Sequence, residues 1–240
     1  MKKIVSFGVW GKKPLYTEGL LQNAKLMPTV YPGWIMRAYV ASDVPSKIIK
    51  ELQEMDHVEV VETGANKGIA GMFWRWLPAE EEDVLCFISR DADSRINMRE
   101  KLAVDEWLAS KKAVHIMRDH SAHVFPMMGG MWGARGHDLK NRFNFSVKDF
   151  LKELEMEKTE YLHDQYFLSQ MLFPKLSASD YMCHDEVRKA IPTAIFPNCS
   201  PFPKGSELAA VLYKGKEYPR FVGQRISEKG ASEIMEGVYV

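Results

Sequence analysis

The sequence predicts an α/β fold with a mainly parallel, twisted central sheet and helices on both of its faces. Three observations carry that prediction. Short apolar runs alternate with helix-periodic stretches from Ile4 to Ile88, the pattern of successive βα units. With 240 residues and 46% apolar positions the chain can bury one full core, which fits a single domain over 1–240. The residues suited to chemistry also fall where apolar runs stop, the side of such a sheet on which ligands bind.

Taken in order, Ile4 to Phe7 reads as the first strand, after which Gly8 and Gly11 let the backbone turn closely around a ligand. Thr17, followed by Glu18, predicts a helix cap, with Leu20, Leu21, Ala24 and Met27 on a helix that ends near Pro28 and Pro32. Tyr16 then lies in the loop before the cap, where its ring can stack on a base or cover the core edge. Trp34 to Ala41 reads as the second strand, Pro45 to Met55 as the second helix, and Val58 to Val61 as the third strand. Asn66 is placed to cap a helix whose Ile69, Met72, Phe73, Trp76 and Leu77 recur with α-helical period and which Pro78 ends. Arg75 lies off that stripe and can reach solvent or a cleft.

Val84 to Ile88 has the bulk of a buried central strand and leads into Asp91 and Asp93. At strand spacing the two carboxylates lie on one side, about 7 Å apart. They can therefore grip one hard cation, Mg²⁺ or Mn²⁺, whose remaining oxygens come from substrate phosphates. A polar turn after a strand is the structural alternative.

Asn97 and Glu100 have capping-box spacing and start a helix through Trp107 and Leu108. Ala113 to Met117 is a further strand, running into Arg118, Asp119, His120 and His123. That HxxH lacks a third ligand at zinc-like spacing and reads as a polar wall. In Phe125 to Ala134, large apolar residues surround Gly129, Gly130 and Gly133, the mark of a bent core strand or of backbone lining a pocket beside Trp132. A helix is expected over 146–158. A second, from about Thr159, places Tyr161, Asp164, Leu168 and Met171 on one face. A carboxylate on an apolar stripe must be paired or bound, which makes Asp164 a candidate. Beyond Pro174 the periodicity fades, and Pro192, Pro197, Pro201 and Pro203 predict an irregular segment, carrying His184, that folds back over the body.

Charge and composition exclude several classes. The 32 basic and 32 acidic residues cancel, so a general affinity for nucleic acid or an anionic membrane is not expected. No apolar run approaches the roughly 20 residues of a membrane span. The apolar stretch within MKKIVSFGVWGKK is too short for a signal peptide. Cys86, Cys183 and Cys199 are odd in number, with no CxxC spacing, and read as reduced thiols in the cytoplasm. Without GxGxxG or GxxxxGK[ST], dinucleotide oxidoreductases and P-loop kinases are disfavoured.

The segment FISRDADSRINMREKLAVDEWLAS, followed by HIMRDHSAHVFPMMGGMWGARG, resembles nucleotide-sugar glycosyltransferases of the GT-A (Rossmann-like) fold, a group that includes chlorella virus-encoded glycosyltransferases. YTEGLLQNA, DADS and HDQYFLSQ are more loosely similar to glycogenin-like transferases. The resemblance implies a nucleotide-binding part over 1–95 that ends in the DxD motif, and an acceptor-side part with a tail over 96–240. It implies uracil contacts at Tyr16 and Gly19, a basic residue at Arg75 and metal binding at Asp91 and Asp93. Asp164 and Gln165 fall in the DQ motif near donor sugar and acceptor. A late histidine often completes the metal shell in that fold, and His184 is the position chosen.

The expected reaction moves a hexose or deoxyhexose from a nucleoside diphosphate, UDP above all, to a hydroxyl of a glycan or glycoprotein. Backbone near Phe7 and Gly8, with Tyr16, would hold the nucleotide. Mn²⁺ or Mg²⁺ on Asp91, Asp93 and His184 would neutralise the leaving diphosphate, aided by Arg75 or Arg90. Asp164 would act as base or position the sugar. The alternatives are a haloacid-dehalogenase-like phosphatase, in which the first Asp of a DxD attacks phosphorus, and an inactive carbohydrate- or nucleotide-binding module.

Overall fold

The computed structural model describes residues 1–65, 68–136, 138–153, 160–187, 199–208, 211–213, 216–218 and 220–226. Strands β1 (Lys2–Val9), β2 (Ile35–Val40), β3 (Val58–Glu62) and β4 (Val84–Arg90) pair in parallel in the order β3–β2–β1–β4. Helices α1 (Pro14–Val30), α2 (Ser46–Gln53) and a 3-10 helix over Gly68–Glu80 connect them, and α3 (Met98–Ala109) follows β4. The sheet continues through β5 (Val114–Arg118), β6 (Met131–Arg135), β7 (Tyr181–Asp185) and β8 (Cys199–Ser200), giving eight strands in the order β3–β2–β1–β4–β6–β5–β7–β8. β6 runs antiparallel to both neighbours, while β5, β7 and β8 restore the parallel sense. The expected mainly parallel α/β architecture is what the chain adopts. Short helices α4 (Asp138–Phe143), α5 (Val147–Glu153) and α6 (His163–Phe167) lie between β6 and β7, and β9 (Val211–Tyr213) with β10 (Lys216–Tyr218) forms a separate hairpin. Among the described residues no helix is long and apolar enough to cross a membrane.

Strand alternation divides the core between the two faces of the sheet. Along β1, Ile4 packs in one cluster with Phe73, Trp76, Phe87 and Trp132, whereas Val5, Phe7 and Val9 pack in the other with Leu20, Met27 and Trp107. Along β4, Phe87 joins the first cluster, and Cys86 and Ile88 join the second.

Local structure departs from the sequence expectation where one interaction overrides propensity. Thr17 is not a cap: α1 begins at Pro14, whose fixed φ suits the first helical position, so Tyr16 sits in the first turn and Thr17 is buried inside the helix. Nor does Pro28 end α1. It lacks the N–H that would bond the Ala24 carbonyl, and His57 Nε2 supplies that hydrogen bond instead at 2.8 Å. The helix expected from Asn66 winds as a 3-10 helix through Pro78 to Glu80, and Asn66 itself lies outside the described residues. Three residues per turn stack side chains at i and i+3, so Ile69, Met72 and Arg75 form one row while Ala70, Phe73 and Trp76 form a buried one. After α6 the winding opens to a π-turn over Leu168–Leu172. That shifts the phase by a residue: Leu172 is buried with Asp164 and Leu168, whereas Tyr161 and Met171, expected on the same face, are exposed. Only the second half of the 125–134 run is strand. The irregular tail supplies β7 and β8, while Pro192 and Pro197 lie outside the described residues.

Candidate active site

The order β3–β2–β1–β4 places a crevice where β1 and β4 lie side by side, beyond their carboxyl ends. A cavity of about 630 Å³ occupies it, walled by Gly8 to Lys13 after β1 and by Asp91 to Asp93 after β4. The row Ile69, Met72 and Arg75, the loop Met128 to Met131, and the α6 residues Asp164 and Gln165 close it.

The pleat decides what each residue at the end of β4 can reach. Ser89 and Asp91 face the 3-10 helix: Ser89 Oγ donates to the Gly129 carbonyl at 2.7 Å, and Asp91 Oδ1 accepts from Arg75 Nη1. Arg90 faces the other way, fully buried, with Nη2 3.0 Å from Glu100 Oε2 and Nη1 2.7 Å from the Gly130 carbonyl. Arg75, itself buried, also donates from Nη2 to Asp164 Oδ2 at 2.6 Å, so one guanidinium joins acids from β4 and α6. Gly129 and Gly130 press on that trio. A Cβ on Gly129 would overlap Asp164 Oδ2 and come 2.8 Å from Arg75 Nη2, and one on Gly130 would overlap the Asp91 carboxylate.

Burial, opposed by Arg75, raises Asp164 above the usual carboxylate range, and its Oδ1 accepts the Gln165 N–H at 2.9 Å. Asp93 is pushed up to about 6 by burial and then by the neighbouring Asp91 charge, with Arg225 Nε 3.3 Å from its Oδ2 in partial relief. Two hard-oxygen donors that repel each other when empty suit a divalent cation. Lys12 and Lys13 add positive charge to the wall, and Tyr16 offers a ring beside Asp93. Gln165 Oε1 is buried without a partner among the described residues. Segment 220–226 covers this end of the sheet: the Ile226 N–H donates to the Asp93 carbonyl at 2.8 Å, and the Val222 N–H to Asp119 Oδ2 at 2.8 Å.

Of the residues singled out from sequence, Gly8, Tyr16, Arg75, Asp91, Asp93, Asp164 and Gln165 line this one cavity. Three do not. Phe7 points into the core under α1 because it alternates with Gly8, and Arg90 is turned away by the pleat. His184 lies within β7, fully buried, with Nδ1 2.9 Å from His115 Nε2 and Nε2 3.0 Å from Glu106 Oε2. Its expected place beside the acid pair is therefore corrected: it faces α3 and is not among the lining residues. Gly19 instead lets α1 approach the Ala92 carbonyl. Trp10, Lys12, Lys13, His123 and Tyr161 also line the cavity and were missed. For Trp10 and the lysines the signal was present, since they directly follow a strand end that carries a glycine. Elsewhere, Cys183, Asp185 and Cys199 bring ligand-type atoms within 4.8 Å of one another. Asp185 there is committed to Arg118 and the Val187 N–H, which makes this an ion-paired cluster.

No protein-family model and no curated protein matches the sequence. Solved structures do match. A glycosyltransferase involved in the glycosylation of the major capsid of PBCV-1 superposes with a TM-score of 0.50 at 16% identity, over 80% of this chain and 87% of that one. The galactosyltransferase LgtC in complex with donor and acceptor sugar analogs gives 0.47 at 10% identity, over 80% and 78%. A mannosyltransferase from Pyrobaculum calidifontis in complex with GDP-Man and Mn²⁺ gives 0.45 at 15%, over 61% and 48%. The first of these shows the fold alone: the chain adopts the α/β GT-A fold.

Proposed function

We propose that this chain is a glycosyltransferase that moves a hexose or deoxyhexose from a nucleoside diphosphate sugar, UDP-linked, to a hydroxyl of a glycan or glycoprotein, using Mn²⁺ or Mg²⁺. The observation that carries this reading is Arg75 joined to both Asp91 and Asp164 at the wall of a cavity beyond β1 and β4. Asp91, the residue that would attack phosphorus in the phosphatase reading, has one oxygen held by Arg75.

Asp91 and Asp93 would hold the cation, which when bound offsets the charge gathering on the leaving diphosphate. Arg75 contributes a fixed positive charge at the same place, pre-oriented by its two carboxylates. Lys12 and Lys13 suit the phosphates, and Tyr16 suits the face of the base. Asp164 has one oxygen on Arg75 and the other on the Gln165 N–H. With both engaged, it is better placed to orient a sugar hydroxyl than to remove a proton. The buried Gln165 Oε1, unpartnered among the described residues, supplies a second acceptor for such a hydroxyl.

The test is release of nucleoside diphosphate from UDP-glucose, UDP-galactose and GDP-mannose with Mn²⁺, with and without sugar acceptors, in wild type and in Asp93→Ala. Turnover of one donor that Asp93→Ala abolishes supports the reading. Failure to turn over or bind every donor overturns it, binding without turnover favours an inactive module, and phosphate release from simple esters favours a phosphatase.

A further inference from the structure

His123 is one of the cavity-lining residues that the proposed chemistry leaves without a task. It stands on the loop after β5, is 7% exposed, and is fixed on two sides. The Asp119 backbone N–H donates to its Nδ1 at 3.1 Å, and Phe221 packs edge-on against the ring with centroids 5.6 Å apart. An Nδ1 that accepts is unprotonated, so in the neutral ring the proton sits on Nε2. Burial and the nearby His120 push the imidazole down to about 4, which keeps it neutral. Nε2 has no partner among the described residues. A nitrogen that carries the proton cannot ligate a metal, so this histidine does not replace His184 beside the acid pair.

We propose that His123 is a donor-binding residue whose Nε2–H donates a hydrogen bond to an oxygen of the bound sugar nucleotide, a phosphate oxygen or a sugar hydroxyl. The inference rests on the sugar-nucleotide reading of the cavity. Asp119 is its positioning partner: the backbone N–H orients the ring while the carboxylate holds Arg99 and the Val222 N–H, so ring and covering segment share one anchor.

Two substitutions separate donor from filler. His123→Gln can place an N–H near the Nε2 position, whereas His123→Asn can only satisfy the Asp119 N–H. Calorimetry uses UDP, UDP-glucose, UDP-galactose and GDP-mannose with Mn²⁺, and Mn²⁺ alone. The expected result is about tenfold weaker binding for His123→Asn and near-wild-type binding for His123→Gln. Weakening of UDP itself assigns the phosphate oxygen, and weakening confined to a sugar nucleotide assigns the hydroxyl. Unchanged affinity in His123→Asn overturns the proposal, as do equal losses in both variants. A loss of Mn²⁺ affinity alone overturns it in favour of metal ligation. If wild type binds none of these probes, the parent reading fails and takes this one with it.

Discussion

Gly129 lies so close to Asp164 that a β-carbon on it would overlap the carboxylate Oδ2. The glycine is thus a space requirement of the acid that Arg75 holds. Gly129→Ala should displace Asp164 or the 128–130 loop, costing about 1–3 kcal/mol of stability as overpacking. Donor binding should weaken at least about tenfold, since the acid leaves its position. Calorimetry with UDP-sugars and thermal unfolding check both. Wild-type affinity in a folded Gly129→Ala protein would show that the loop is not part of the site.

Arg90 and Glu100 form a buried pair completed by the Tyr31 hydroxyl, which donates to Glu100 Oε1 at 3.1 Å. Burial pushes Glu100 up to about 7 even so. Arg90→Met should cost about 3–5 kcal/mol, because it strands a carboxylate in the core. The double variant Arg90→Met/Glu100→Gln should recover part of that loss, since a neutral amide can still accept from Tyr31. Urea unfolding of the two variants decides, and a loss under about 1 kcal/mol for the single change would contradict the buried-pair account.

His115 and His184 make the fold sensitive to acid. Burial holds His115 well below the ordinary imidazole range and lowers His184, and His115 Nδ1 is buried without a partner among the described residues. The unfolded chain gains protons on these rings near pH 6.5 while the folded chain does not, so their contribution is present above about 6.5 and lost as pH falls. Glu100 and Asp93, raised to about 7 and about 6, act with the opposite sign, so the comparison must be between variants. His115→Gln should lose less stability than wild type between pH 7.5 and 5 in urea titrations. Matching losses would refute the assignment. His184→Gln should leave nucleotide affinity unchanged, since the residue does not line the cavity.

Asp93 should be costly to the folded chain and needed by the ligand. Asp93→Asn removes a buried charge beside Asp91, so thermal stability without ligand should stay level or rise. Mn²⁺-dependent UDP binding should fall below detection. Undiminished binding would remove Asp93 from the metal site.

Much of this was readable in the sequence because it is local. The apolar run of β4 delivered Asp91 and Asp93 to the cavity where the apolar residues stop, but the strand ends at Arg90 and the two acids sit in the turn that follows, not at strand spacing; the pleat of β4 turns Arg90 away from them. Tyr16 reached the cavity from a helix turn, because Pro14 starts α1 earlier than Thr17 could. Non-local effects were not readable. His57 rescues the Ala24 carbonyl from 33 residues away. β7 is recognisable as a strand only beside β5, which is why His184 passed for a loop ligand. The 3-10 winding that sorts Arg75 from Phe73 has no signature in an apolar pattern that an α-helix would fit equally well.

Segment 220–226 reaches Asp93 and Asp119 from the far end of the sequence, and Gly223 forms part of the wall. During synthesis, β1 to β4 can emerge and pair while the pocket still lacks that side. The nascent chain therefore has no complete cavity wall until residue 226 has cleared the ribosome. Closure on that side then follows every strand of the eight-stranded sheet, the last of which ends at Ser200.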